Sequence, residues 1–148
     1  MPDPAQSRSA AQPFPQLKQE PAQKQPLTLL AVAAPIVGWI VPGGGHFLQK
    51  RWGRGALLAA SVTCMFVLGL MMQGKVYSAN FGDILDVLGF IGDLGAGGLY
   101  LFTRAFDWGH GSINLATADY GTKFLIVAGL LNVISAVDAY DIAIGKKS

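Results

Sequence analysis

Residues 55–74, GALLAASVTCMFVLGLMMQG, form a run of 20 residues without a formal charge, bounded by Arg54 and Lys75. A helix rises about 1.5 Å per residue, so this run is about 30 Å long, the thickness of a bilayer's hydrocarbon core. It predicts a transmembrane helix and sets the class of the whole chain as all-α integral membrane protein. Composition agrees: of 148 residues 51% are hydrophobic and only 14% charged, against about a quarter charged in a soluble domain. The length suits one domain. A net charge of +2, with basic residues scattered in pairs and threes, excludes a nucleic-acid partner, which would need a concentrated positive face. The single Cys64 excludes an intramolecular disulfide framework and a cysteine-based zinc site.

Outward from this run the chain divides in two. Residues 1–26 hold six of the eight prolines, six glutamines and only seven hydrophobic residues. Such a segment cannot bury enough apolar surface to offset its ordering entropy, so a disordered or polyproline-like tail is expected. Lys24 and the apolar stretch after it imitate a secretory signal, with Ala31-Val32-Ala33 as a cleavage site. The polar region is too long for one, and Pro35 follows the scissile position, so the segment is read as uncleaved. Residues 27–148 hold all 19 glycines, and their acidic residues are all Asp.

Three further spans are expected in this helical body, at about 27–45, 84–103 and 124–145, making four with 55–74. The first carries Pro35 and ends at Pro42-Gly43-Gly44-Gly45, so it reads as a Pro-kinked helix, with a re-entrant half-span as the alternative. The third carries Asp86 and Asp93. The fourth carries Asn132, Ser135, Asp138 and Asp141. An intramembrane carboxylate facing lipid costs a few kcal/mol, so these residues should turn toward a common interior or an interface. Trp39, Trp52, Tyr77, Tyr100, Trp108, Tyr120 and Tyr140 fall near run ends, where amphipathic rings sit at headgroup level. Cations divide almost evenly between the two sides. Lys50, Arg51 and Arg54, dense in the shortest loop, favour the cytoplasm for that loop. The 104–123 segment, lacking a long apolar run, reads as a surface loop.

On a helical third run, Gly82, Asp86, Gly89, Asp93 and Gly97 share one stripe, with Ile84, Leu88, Ile91, Leu99 and Phe102 roughly opposite. Small residues at this spacing let another backbone approach. The stripe and Asn132 are therefore candidate packing residues, and the Ile/Leu/Phe face should meet lipid. Asp93 has two readings: an ion or proton relay, or a packing residue hydrogen-bonded to Asn132, Ser135 or a backbone group. Asp138 and Asp141 lie close enough to Lys146 and Lys147 for interfacial pairing.

The most distinctive stretch is PGGGHFLQKRWGRG, residues 42–55. Gly43, Gly45, His46, Phe47, Lys50 or Arg51, and Gly55 resemble the hairpin turn of bacterial proteins built on the two-transmembrane-helix domain. Residues 129–140 are similar to the last helix of small bacterial membrane proteins that carry this hairpin. The chain has Leu48 where a Tyr is common, Lys50 where a Gly is common, and His46 alone where the family has a His-Arg pair. The resemblance implies a helical hairpin in a membrane and no catalytic activity. Gly43, Gly44 and Gly45 with Lys50, Arg51 and Arg54 form a candidate site for a lipid phosphate; helix break plus interfacial anchors is the plainer reading. The glycine-lysine-serine or threonine ending of a nucleotide phosphate loop is absent.

His46 and His110 are the candidate cofactor ligands, the second with Asp107 three residues before it, but two isolated groups fall short of a metal-ligand set. No nucleophile or acid-base constellation is recognisable. The sequence thus predicts a non-catalytic multi-pass protein of the bacterial inner membrane. It would be a structural or accessory subunit, partnered by lipid and by another membrane protein or its own copies. A small transporter or channel element using Asp86, Asp93 and Asn132 is the alternative, and pigment or haem binding through a histidine a further one. No cofactor is predicted.

Overall fold

The computed structural model describes residues 29–79, 82–112 and 115–147; the 1–26 tail lies outside them. The described chain is helical: α1 (Leu29–Ile40), α2 (Gly44–Leu48), α3 (Trp52–Met71), α4 (Ile84–Gly95), α5 (Gly98–Ala105) and α6 (Ala116–Ala143). Helices α3 and α6, of 20 and 28 residues, are long and apolar enough to cross a membrane; α4 and α5 would make a third crossing if the bent pair counts as one.

Four full spans are not found, and the reasons are local. Helix α1 has only 12 residues, about 18 Å. Pro35 lies inside it without ending it. Pro42 has no N–H to continue the ladder and Gly43 turns left-handed at φ 75°, so the chain reverses into α2 instead of extending the kinked helix to residue 45. The expected 84–103 helix is two helices meeting at 109°. Gly97, at φ 59° and ψ −117°, occupies backbone space that only glycine enters freely. The last helix starts at Ala116, so much of the expected 104–123 loop is helical. Its first turns lie beyond the apolar run, supported by the Asp119–Lys123 ion pair at 2.7 Å, one turn apart.

Helix α6 is the axis against which the other long elements pack. Helix α3 runs antiparallel to it: Gly69 lies on Gly121 and Leu125. Helix α1 also runs antiparallel, with Gly38 beside Ala136 and Trp39 at Asn132. Helix α4 runs parallel, with Gly92 against Ile126 and Gly95 against Gly129 and Val133. Consequently α1 and α4 approach each other end on, and their C-termini meet halfway along α6. The α4–α6 crossing is close because neither helix has a side chain there; a Cβ on Gly129 would lie 1.9 Å from the Gly92 carbonyl oxygen.

Val62, Phe66, Leu125 and Ala128 join α3 to α6, and Val76, Ala96 and Tyr100 complete the buried cluster from the α4–α5 side. The outer surface is apolar too: Leu57, Met71, Ile84, Leu88 and Ile134 are each more than 60% exposed. A soluble protein does not leave such a belt in water, whereas a bilayer requires it.

Candidate functional site

Two polar clusters lie along α6, one halfway and one at its C-terminal end. Halfway, Asn132 is fully buried, and its Nδ2 donates to the Trp39 carbonyl at 2.9 Å and the Gly95 carbonyl at 3.0 Å. These belong to the last turns of α1 and α4, whose carbonyls lose their intrahelical donors when the chain turns at Gly43 and Gly97. One amide thus caps two helix ends of like partial charge. The Trp39 indole donates to the Leu94 carbonyl at 3.1 Å, and a Cβ on Gly97 would stand 1.8 Å from the Trp39 oxygen. Trp39 is therefore a junction residue and not the interfacial anchor expected.

One turn before this junction Asp93, fully buried, accepts from the Tyr77 amide at 2.7 Å, while the Tyr77 carbonyl accepts from the Tyr100 hydroxyl at 3.3 Å. Asp93 thus pairs with a backbone group, and neither Asn132 nor Ser135 is its partner. The Gly/Asp stripe is covered from within the chain. A Cβ on Gly89 would meet the Tyr77 ring at 2.4 Å, Asp86 faces Lys75 at 3.7 Å, and only Gly82, at the start, is exposed. Burial, reinforced by Asp86 and Asp93, pushes the Tyr77 phenol above its ordinary pKa. Ile84, Leu88, Ile91 and Phe102 face outward. Leu99, on the far side of the bend, packs instead against the core. The α4 glycines on α6 are Gly92 and Gly95, beside the expected stripe.

At the C-terminal end of α6, His46 is fully buried and its Nε2 lies 3.1 Å from Asp138 Oδ2; Lys147 holds the other carboxylate oxygen at 2.8 Å and stands 4.0 Å from Asp141. The Asp138 carboxylate holds the Lys147 ammonium above its usual pKa. Gln49 Nε2 donates to the Ala139 carbonyl at 2.7 Å, so the whole hairpin docks on α6. Gly43, Gly44 and Gly45 are buried, Gly43 against Gly55 and Ala59, Gly44 against Val37 and Val41, and Gly45 between Ala34 and Ala139, and the Gly44 amide is spent on the Val41 carbonyl at 2.8 Å. Lys50 and Arg54 are exposed. Glycines inside and cations outside fit the helix-break reading better than a phosphate cradle.

His110 lies near the opposite end of α6, bridged to Lys75, whose amide donates to Thr122 Oγ1 at 2.9 Å. Thr122 and Asp138 are separated by about 24 Å of helix, so His46 and His110 cannot share a ligand. As the spacing suggested, His110 pairs with Asp107, at 2.9 Å and well exposed. Among the described residues no three His, Cys, Asp or Glu side chains group as metal ligands.

The family defined over this helical body decides the affiliation: its match runs from residue 33, inside α1, to residue 148. The chain belongs to DUF6677, a family of unknown function. That match says nothing of a two-transmembrane-helix domain. No curated protein matches the chain, and no solved structure does.

The two helix ends capped by Asn132 and the His46–Asp138 pair escaped the sequence reading. Their partners are separated by 93, 37 and 92 positions, distances at which periodicity carries no signal. The Gly92–Gly129 crossing left a trace, since Gly92 and Gly95 stand three apart and Gly121 and Gly129 two turns apart.

Proposed function

We propose that this chain is a non-catalytic integral membrane protein of the bacterial inner membrane, acting as a structural or accessory subunit. The carrying observation is the use made of Asn132: the central polar side chain of α6 is spent on the ends of two half-length helices. In this reading α1 with α2, and α4 with α5, are re-entrant hairpins entering from opposite sides. Each leading helix is about 18 Å long, so end to end they cross about one bilayer. Interrupted helices are tolerated at membrane depth when protein groups satisfy the freed backbone. The 42–55 turn, read as a relative of the two-transmembrane-helix hairpin, supplies the tight reversal. The outward Ile84, Leu88, Ile91 and Phe102 row is left for lipid or a partner helix.

Native mass spectrometry of the full chain from a mild detergent tests this reading, with an oligomer or heterologous complex expected. A stable lone monomer would contradict the subunit role.

One observation favours the transporter reading. Asp93 Oδ1 and Asn132 Oδ1 are buried acceptors without a hydrogen-bond partner among the described residues, the first on α4 shortly before that helix ends and the second on α6 where α1 and α4 meet. Interrupted helices of this kind line ion sites in transporters. Proteoliposome flux separates the readings: a path through this point loses ion or proton flux with Asp93→Asn, and a packing role leaves none to lose.

A further inference from the structure

A groove of about 370 Å³ lies between α3 and α6, lined by Leu58, Ser135, Asp138, Asp141 and Lys147 with the apolar row of α6 beside them. Ser135, Asp138 and Asp141 follow one another at intervals of three and so share a helix face. Ser135 is only 2% exposed, yet its hydroxyl has no hydrogen-bond partner among the described residues. A buried hydroxyl without a partner, on a residue that lines a groove, is costly and marks a place for a ligand atom. His46 occupies one oxygen of Asp138, so the other is what the groove offers. A single group already uses it: Lys147 Nζ, 2.8 Å from Asp138 and 4.0 Å from Asp141. Lys147 lies just past the helix end, beyond Gly145 at φ 74°. Its side chain remains 54% exposed, so it is a loosely tethered occupant.

We propose that this groove binds a primary ammonium group, that of an aminophospholipid headgroup, and that Lys147 is its tethered stand-in. Two carboxylates and one hydroxyl match the three N–H donors of a primary ammonium. A quaternary ammonium has no such donor to offer. The lipid source follows from the wall, since Val133, Ile134 and Val137 are exposed on the outward side of α6 and continue the groove along the helix as a track for an acyl chain. This rests on the reading of α6 as a membrane helix.

The test is native mass spectrometry of the full chain released from vesicles of equal phosphatidylethanolamine and phosphatidylcholine. The wild type should retain the ethanolamine lipid in excess, and Lys147→Ala should raise that excess by removing the competitor. Asp141→Asn and Ser135→Ala, neither of which breaks the His46–Asp138 contact, should each lower it, about tenfold for the lost charged partner, with phosphatidylcholine retention unchanged. Equal retention of both lipids by wild type and Lys147→Ala, or an undiminished excess in Asp141→Asn, would overturn the site. Displacement by an equal concentration of glycerophosphoethanolamine, which lacks the acyl chains, would overturn the lipid assignment. Failure of the chain to enter the vesicles would overturn the site together with the membrane reading. Entry without preference overturns the site alone.

Discussion

Replacing Asn132 with Asp changes one atom type at the point where α1 and α4 meet and reverses its hydrogen-bonding sense. The amide nitrogen donates to the Trp39 and Gly95 carbonyls at 2.9 and 3.0 Å. A carboxylate there would place an acceptor against two acceptors, each already at the negative end of a helix. Leaving a buried polar group unpaired costs about 1–3 kcal/mol, whereas interhelical hydrogen bonds in bilayers average nearer 0.6 kcal/mol. Asn132→Leu, which keeps the branching of the side chain, is somewhat bulkier and removes the donor, should therefore cost about 1–3 kcal/mol for the two bonds together. Asn132→Asp should destabilise too: a carboxylate there is buried without compensation, and its protonated form offers one O–H donor for two carbonyls. Reversible unfolding of the purified protein in mixed micelles of a mild detergent and dodecyl sulfate would measure both. A loss of stability in both variants, deepening for Asp as pH rises and its carboxyl ionises, is the signature of the double cap. An Asp variant as stable as wild type would refute the reasoning, since no pairing of a carboxylate with those carbonyls replaces what the amide provides.

Three further outcomes follow from the same contacts. Gly129→Ala, whose Cβ would come within 1.9 Å of the Gly92 oxygen, should push α4 off α6 and lower stability by about 1–3 kcal/mol, whereas Gly53→Ala, with open space around it, should change the same unfolding curve little. His46→Ala should cost about 1–3 kcal/mol by emptying a buried site and removing one Asp138 partner, and should speed proteolysis within residues 42–51 if the hairpin is held to α6 through this pair. Cys64 is exposed near the middle of α3. In sealed vesicles it should stay unmodified by a charged maleimide and react once the protein is unfolded in dodecyl sulfate, and fast labelling in the intact vesicles would place α3 outside the bilayer.

How much of this was legible beforehand depends on how far each signal travels along the chain. The charge-free run at 55–74 became α3 within three residues at either end, because length and apolarity are local properties and a bilayer reads them directly. Pro42 and Gly43 mark a break in the sequence, but the expected span runs on to residue 45, whereas α1 ends at Ile40 and the chain reverses at Gly43. Gly97 was visible only as one member of a stripe. Nothing near it distinguishes a glycine that packs from a glycine that bends the backbone, and the Trp39 carbonyl that leaves no room for a Cβ there is 58 positions away. The start of α6 is not legible because Ala116–Lys123, with two Thr, Asp, Tyr and Gly, signals a helix neither by hydropathy nor by propensity; the Asp119–Lys123 pair and the seating of Gly121 on Gly69 and Gly74 hold it. Asp93 was identified as an inward residue. Its partner, the Tyr77 amide, belongs to a loop that no periodicity describes.

The sequence by itself determined that the chain is helical and apolar enough for a membrane, that residues 55–74 form a helix of bilayer length, that Pro42 and the glycines after it break a helix, and that the acidic residues of the body must find partners. All of these rest on the contrast between apolar and charged groups in a low-dielectric solvent, which acts residue by residue. Only the tertiary structure decided that α1 and α4 stop halfway along α6 and meet end on, that Asn132 joins them, and that His46 shares Asp138 with Lys147. Those pairings depend on which freed backbone and side-chain groups are brought within about 3 Å of one another, a matter of three-dimensional packing that one-dimensional order does not contain.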